Sequence, residues 1–324
     1  VEVGVRDGDA AGDAAPAVDC PDTEGATIAF SVPIPDPNFD AISTIIETRL
    51  GESGASFQRV DANLDPGKQI SDLQSLVQQG VDVIIVNPVD PNATLPALTA
   101  ANEAGIPLVT LETTIDGPEV HANVTADVEF AAAEGARILQ ELVGDGSVGA
   151  IAGPPFAQVI VRENETFAAT AAEIGLDVLD TQVNQQITPD AARQIADAWK
   201  QQNPDLAGIW TFNDTSAVGA AGALDDSFAP AIVSINGQPE AIPLVEEGVI
   251  HTTFDLQQDK IGHALAYSAL AAVCGVDSPD EIVVPVVRID ADTVGDYVPL
   301  ADRVGRPFEV AFEERDGRTF LVTE

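Results

Sequence analysis

Residues 81–90 read Val-Asp-Val-Ile-Ile-Val-Asn-Pro-Val-Asp, and five of the first six are β-branched and apolar. Without polar alternation, such a run reads as a strand buried on both faces of a parallel sheet. It stops at Asn87-Pro88, with its polar residues at the carboxyl end. In open α/β sheets that edge is where ligands bind, because the loops there converge on a crevice. The same unit of short apolar strand, polar loop and amphipathic helix recurs on both sides.

Upstream, residues 27–32 predict a strand, and residues 39–50 a helix with Ile42, Ile45 and Ile46 on one face. A strand at 55–60 follows, then a helix opened by Asp65-Pro66, where Asp caps and Pro occupies the first turn. Ile70, Leu73, Leu76 and Val77 form its buried stripe. A helix over 91–104 and strands at 106–111 and 120–124 close the first run. A second run follows, with strands at 148–152, 176–182, 206–212, 231–235 and 252–254. Its helices fall at 128–143, 160–174, 189–202, 215–224 and 239–247. A helix at 261–273, a strand at 282–287 and a hairpin about Asp316-Gly317 complete the chain. Two consecutive βαβ runs predict an α/β protein with two doubly wound parallel-sheet lobes.

Charge changes the picture more than length does. Against 53 acidic residues stand 14 basic ones, a formal charge of −39. Such a surface repels nucleic acid and anionic lipid. Residues 1–25, rich in Ala, Gly, Asp and Pro, read as an acidic N-terminal tether. The chain opens on Val1 rather than Met, as a processed or trimmed product does, and no signal peptide is visible, which is uninformative if one has been removed. The two cysteines, Cys20 and Cys274, permit one disulfide or none.

Enzyme signatures are absent. There is no Gly-rich phosphate loop and no Gly-x-Ser-x-Gly elbow, and His121, His251 and His263 lack metal-ligand spacing. No catalytic residue, cofactor or metal is therefore expected. What stands out is a set of amides, carboxylates and rings at strand ends: Asn38, Phe39, Asp40, Glu112, Thr113, Phe156, Arg162, Gln186, Trp210, Asn213, Asn236 and Gln257. Amides and carboxylates bond vicinal hydroxyls, while aromatic faces cover the C–H face of a ring. That combination suits a neutral polyhydroxylated ligand. For any one of these residues a helix cap or turn former explains it equally well; Asn213 and Asp214 fit the cap of the next helix.

On these stretches the chain resembles the periplasmic sugar-binding proteins of ABC transporters, of the ribose-binding type. The matching residues are Thr27–Phe30 with Asn38-Phe39, Gly80–Asp90, Ala104–Leu111, Trp210–Asp214 with Ala217 and Gly219, and Ile235–Gly237. The resemblance implies two lobes joined by a three-strand hinge that closes on a sugar. Residues 26–125 with 256–286 would form the first lobe, and 126–255 with 287–324, including the hairpin as an extension, the second. Asn213 matches a ligand-binding Asn, Phe39 a stacking aromatic, and Asn236 and Glu112 stand where Asp is usual. Thr113 replaces a common Arg, Arg162 is one position off an expected one, and Leu256 stands where Gln is usual with Gln257 next to it. A pentose resembling ribose is thereby disfavoured against a different aldose, a polyol or another hydroxylated solute. Cys20 and Cys274 would both belong to the first lobe, which implies a disulfide between them.

The expected function is a secreted, periplasmic or surface-tethered receptor, monomeric, delivering a neutral sugar or polyol to an ABC permease. A sugar-modifying enzyme or a ligand-sensing ectodomain is the alternative. A repressor of the same fold would need an N-terminal helix-turn-helix in place of the acidic tail.

Overall fold

The computed structural model describes residues 13–14, 18, 20–155 and 157–322. It divides into two compact units, each with its own sheet and core. The first begins with β1 (Asp13–Ala14), β2 (Thr27–Val32), α1 (Pro37–Glu52), β3 (Ser56–Asp61) and α2 (Pro66–Gln79). It continues through β4 (Val83–Val86), α3 (Pro91–Glu103), β5 (Leu108–Leu111) and β6 (Ala122–Ala126). The second holds α4 (Val128–Val143), β7 (Val148–Ala152), α5 (Gln158–Ile174), β8 (Val178–Val183) and α6 (Pro189–Gln202). Then come β9 (Gly208–Thr211), α7 (Asp214–Ala221), β10 (Ala231–Val233), α8 (Ile242–Glu246) and β11 (Thr252–Asp255). The chain returns to the first unit for α9 (Gln258–Cys274) and β12 (Glu281–Val284), and gives β13 (Val287–Asp290) to the second. It ends in the first with α10 (Leu300–Arg303), β14 (Ala311–Arg315) and β15 (Arg318–Val322).

The first sheet has the order β1-β14-β15-β12-β6-β5-β4-β2-β3, and the second β13-β11-β10-β9-β7-β8. The run at 81–90 behaves as its pattern dictates: all four β4 residues are fully buried, between β2 and β5. Its one charged residue before the strand, Asp82, accepts the Thr27 N–H at 2.7 Å and fixes where β2 starts. Leu73 and Leu76 of α2 pack on Ile84 and Val86 from one face. In the second unit Ile151, Ile209 and Ile232 meet Trp199 and Phe228. Each such side chain contributes about 1.5–3 kcal/mol through burial.

Three helices of the first unit open on Asp-Pro. Asp36, Asp65 and Asp90 each accept a backbone N–H of the first turn, with Pro in the first helical position. At α1 this cap moves the start of the helix forward to Pro37, so Asn38, Phe39 and Asp40 stand on its first turn.

Three expectations change. The hairpin was expected with the second lobe, but β15 pairs in parallel with β12, and residues 300–322 belong to the first unit. The chain consequently passes between units four times rather than three, after residues 126, 256, 285 and 299. The strand expected at 282–287 is broken at Pro285, which lacks an N–H for a ladder; β13 beyond it runs antiparallel to β11. The tether expected over 1–25 joins the fold where it is described: β1 pairs with β14, and Thr23, buried, donates to the Ser53 carbonyl at 3.0 Å. Residues 1–12, 15–17 and 19 lie outside the described residues. Cys20 and Cys274 form a disulfide, Cα atoms 5.9 Å apart, tying that segment to the end of α9. No helix among the described residues is long and apolar enough to cross a membrane.

Candidate functional site

In each sheet one strand has its chain neighbours on opposite sides: β2 lies between β3 and β4, and β7 between β8 and β9. Connections leaving such a pair go to opposite faces and open a crevice at the carboxyl ends. Asn38, Phe39, Glu112 and Thr113 stand at the edge of the first unit, and Asn213 and Asn236 at that of the second.

In the first unit Asn38 and Phe39 follow β2, Asn87 follows β4, and Glu112 and Thr113 follow β5, three adjacent strands. Asn38 is half-buried; its N–H is held by the capping Asp36 at 2.8 Å. The half-buried Phe39 ring meets the buried Phe30 edge-on, centroids 6.3 Å apart. Glu112 has φ 56°, and its N–H donates to the Val124 carbonyl at 2.8 Å, which turns the chain sharply at the end of β5. Thr113 is buried beside it. Asp40 is different: its side chain is two-thirds exposed and pairs with Arg59 at 2.6 Å, which also holds Asp61. That Asp serves an ion-pair network on the α1–β3 side of the unit.

A residue absent from the predicted set organises this edge. Gln69 of α2 is fully buried; its Nε2 donates to the Ser31 Oγ and the Asn87 carbonyl, and its Oε1 accepts the Val89 N–H at 2.7 Å. One amide thereby fixes the loop after β4 against β2. The available signal was a Gln in helical phase with Leu73 and Leu76.

In the second unit Phe156 lies outside the described residues. Gly153, directly after β7, is clasped by Asn164, whose Oδ1 accepts the Gly153 N–H at 3.2 Å and whose Nδ2 donates to the Gly153 carbonyl at 2.9 Å. Arg162 pairs with Glu129 of α4 at 3.2 Å. Gln186 is exposed on the loop after β8, next to the buried Asn184, which donates to the Thr188 carbonyl and the Ser216 Oγ. Asn213, after β9, caps α7 by accepting the Ser216 N–H at 2.9 Å. Asn236, beyond β10, takes φ 121° and bridges to Asp255. Asn213 and Asn236 thus stand at adjacent strand ends.

Two predicted residues take other roles. Trp210 is 1% exposed and stacks on Phe167, centroids 4.2 Å apart, so its ring is core and offers no face to a ligand. In a strand covered on both faces, a large aromatic reads the same in sequence whichever way it points. Gln257 is 6% exposed with φ 51°, and its amide donates to the Pro285 carbonyl, bracing the point where the chain re-enters the first unit against the point where it leaves again.

Behind Asn213 and Asn236 lies Asp214, fully buried, accepting the Gln238 N–H at 2.6 Å and the Thr253 hydroxyl at 2.7 Å. Burial pushes its carboxyl up to about 7, against bonds from Ser234, Thr253 and Gln238 that favour the charge. Cavities of about 280 and 140 Å³ open in the first unit away from these edges. One is beside Gly105, Leu108 and His121, the other beside Ile45, His263 and Val304. No cluster of three or more metal-ligating side chains occurs among the described residues.

Residues 28–277 match the family model described as a periplasmic binding protein domain. The chain is 28% identical over 239 residues to the ribose import binding protein of Bacillus subtilis, covering 73% of this chain and 78% of that protein. It is 26% identical over 226 residues to the xylitol-binding protein of Mycolicibacterium smegmatis, covering 68% and 62%. Among solved structures it resembles a periplasmic ribose ABC transporter protein from Conexibacter woesei, with TM-score 0.76, 21% identity and 88% and 96% coverage. A Bacillus halodurans solute-binding protein with bound myo-inositol superposes with TM-score 0.75, 22% identity and 86% and 99% coverage.

Proposed function

Since the chain belongs to the periplasmic binding protein domain family, we propose that it is a non-catalytic receptor. It captures a small neutral sugar or polyol outside the cytoplasm and presents it to the permease of an ABC transporter. The observation that carries this reading is the kinship, over most of both chains, with a ribose import binding protein; a relative named for xylitol, and a structural neighbour with bound myo-inositol, widen the ligand class to polyols.

The edges themselves support a neutral guest. Their cations are spent on carboxylates, Arg59 on Asp40 and Asp61, Arg162 on Glu129. Phe39 supplies a ring face for the apolar side of a sugar, and Asn38, Glu112, Asn213 and Asn236 take its hydroxyls. Gln186 and Thr113 complete the polar lining. The Cys20–Cys274 disulfide fits an oxidising, extracytoplasmic compartment.

The test is a thermal-shift panel of D-ribose, D-allose, xylitol and myo-inositol, followed by calorimetry on any hit. A ligand that binds only the folded state adds about 2.7 kcal/mol of stability at a hundred times its Kd. Asn213→Ala and Phe39→Ala should each weaken a hit at least tenfold, and mass spectrometry should recover the ligand unchanged. No shift with any sugar or polyol would overturn the ligand class; a converted ligand would overturn the receptor reading in favour of an enzyme.

A further inference from the structure

The second unit contains a polar cluster, closed off from solvent, that the receptor reading does not use. Asp214 opens α7 immediately after the cap residue Asn213, and its carboxylate is fully buried. Its Oδ2 accepts the Gln238 N–H at 2.6 Å, its Oδ1 accepts the Thr253 Oγ–H at 2.7 Å, and Ser234 bonds it as well. Thr253 Oγ1 in turn accepts the Gly237 N–H at 3.2 Å, and Ser234 Oγ bonds Thr211 Oγ1 at 3.0 Å. The turn 236–238 is also held through the Gly237 carbonyl by the Tyr297 hydroxyl at 3.1 Å. Its first residue is Asn236, in a left-handed conformation that a non-glycine residue adopts only under constraint. One carboxylate therefore binds three elements, α7, the turn after β10 and β11, at the point where Asn213 and Asn236 emerge.

We propose that Asp214 is a positioning residue whose charge state sets the geometry of Asn213 and Asn236, so that ligand affinity follows its protonation. This rests on the sugar-receptor reading above. With the carboxylate ionised, every donor around it is satisfied. Adding a proton sets a hydrogen against a donor already in place. The peptide N–H of Gln238 cannot turn away, whereas the hydroxyls of Ser234 and Thr253 can, so the proton settles facing a hydroxyl; on Oδ1 it faces Thr253, whose hydroxyl then turns. That rotation disturbs the acceptor of the Gly237 N–H and loosens the turn that carries Asn236.

The surroundings place this change in an accessible range. Burial raises the Asp214 carboxyl to about 7, aided by the nearby Glu240. Other titratable groups on packed elements are Asp255 at the end of β11, Tyr297, Arg288 and Asp290 of β13, which pair with each other at 2.7 Å, and Asp190, Arg193, Asp197 and Lys200 of α6. The two α6 cations are paired elsewhere, Arg193 with Asp197 and Lys200 with Asp225. No cation pairs with Asp214 among the described residues.

The experiment is a pH series from 5.5 to 8.5 on the intact protein with ¹³C-labelled aspartate, together with calorimetric titration of the best-binding panel sugar. The Asp214 carboxyl carbon should titrate near neutrality, the amides of Gly237 and Gln238 should move with it, and affinity should fall as pH drops through that midpoint. The fall should be roughly fivefold, the equivalent of one net hydrogen bond. Asp214→Asn, which has the shape of the protonated acid, should bind at the weaker level with no pH dependence over that range. A carboxyl that titrates near 4, or an affinity flat across its titration, overturns the proposal without needing the variant. If no sugar binds at any pH, it is the receptor reading that fails. The Gly237 and Gln238 amides then still decide the clamp, which is refuted if they stay still while Asp214 titrates.

Discussion

His263 of α9 is 5% exposed, and its ring stacks on Phe308 at 4.7 Å. Burial, with Arg49 nearby and Asp259 opposing, pushes its imidazole down to about 4. Asp214 is shifted the other way. Between about pH 4 and 6.5 the unfolded chain protonates the histidine while the folded chain does not, so this group makes stability fall on acidification. Over nearly the same window the folded chain holds a proton on Asp214 that the unfolded chain releases, so that group makes stability rise on acidification. The two slopes oppose. We expect the melting temperature of His263→Gln to fall as pH rises from 4 to 6.5 relative to the parent, and that of Asp214→Asn to climb relative to it. Calorimetry of both variants across that range checks the signs; slopes of the same sign would show one assignment of burial to be mistaken. Neither environment was legible in the sequence. His263 read as one polar residue on a helix, because the Phe308 that covers it arrives 45 residues later from a segment expected with the other lobe.

At the scale of an element, the turn after β10 is tightly constrained backbone. Gly237 has φ 64°, and a Cβ there would lie 2.6 Å from the Asp255 Cα, a backbone atom that cannot move aside. Gly248, in the same unit, has φ 72° with nothing within 4 Å. Gly248→Ala should therefore cost only the left-handed penalty of roughly 1–2 kcal/mol. Gly237→Ala should cost about 1–3 kcal/mol more through the clash and should weaken sugar binding as well. Urea unfolding and titration of both variants separate these terms; equal costs would mean the close approach to Asp255 is relaxed in solution. The strands and helices feeding this turn were readable from periodicity, since each local pattern agrees with its neighbours. The turn's conformation was not, because it depends on Asp214, Thr253 and Tyr297, which lie 23, 16 and 60 residues from Gly237 along the chain. The same reason explains Trp210: strand periodicity located it, but whether its ring faces core or solvent depends on Phe167 of α5.

Across the whole molecule, the division into two α/β units followed from two runs of the same pattern, whereas the place of the C-terminal hairpin did not. Its strands alternate too weakly to name a partner: β14 and β15 are mostly half-buried, and pairing with β12 is a long-range choice. The Cys20–Cys274 bridge spans 254 residues of sequence. On loop-closure entropy, replacing both cysteines by serine should lower the unfolding free energy by about 5 kcal/mol, the upper end of what disulfides contribute. Hydrogen exchange should show the loss in α9 and β2 and spare β9 and α7; uniform loss would mean the two units unfold together. The first unit is assembled from three separate stretches, the last of them residues 300–324, while most of the second lies in the single stretch 127–256. On a ribosome, the second sheet is therefore almost complete, wanting only β13, when the first still lacks α9, β12 and the hairpin. The unit whose N-terminal half is made first is the one that must wait longer, with the open side of β6 unpaired until the whole stretch 127–256 has been made and β12 follows it.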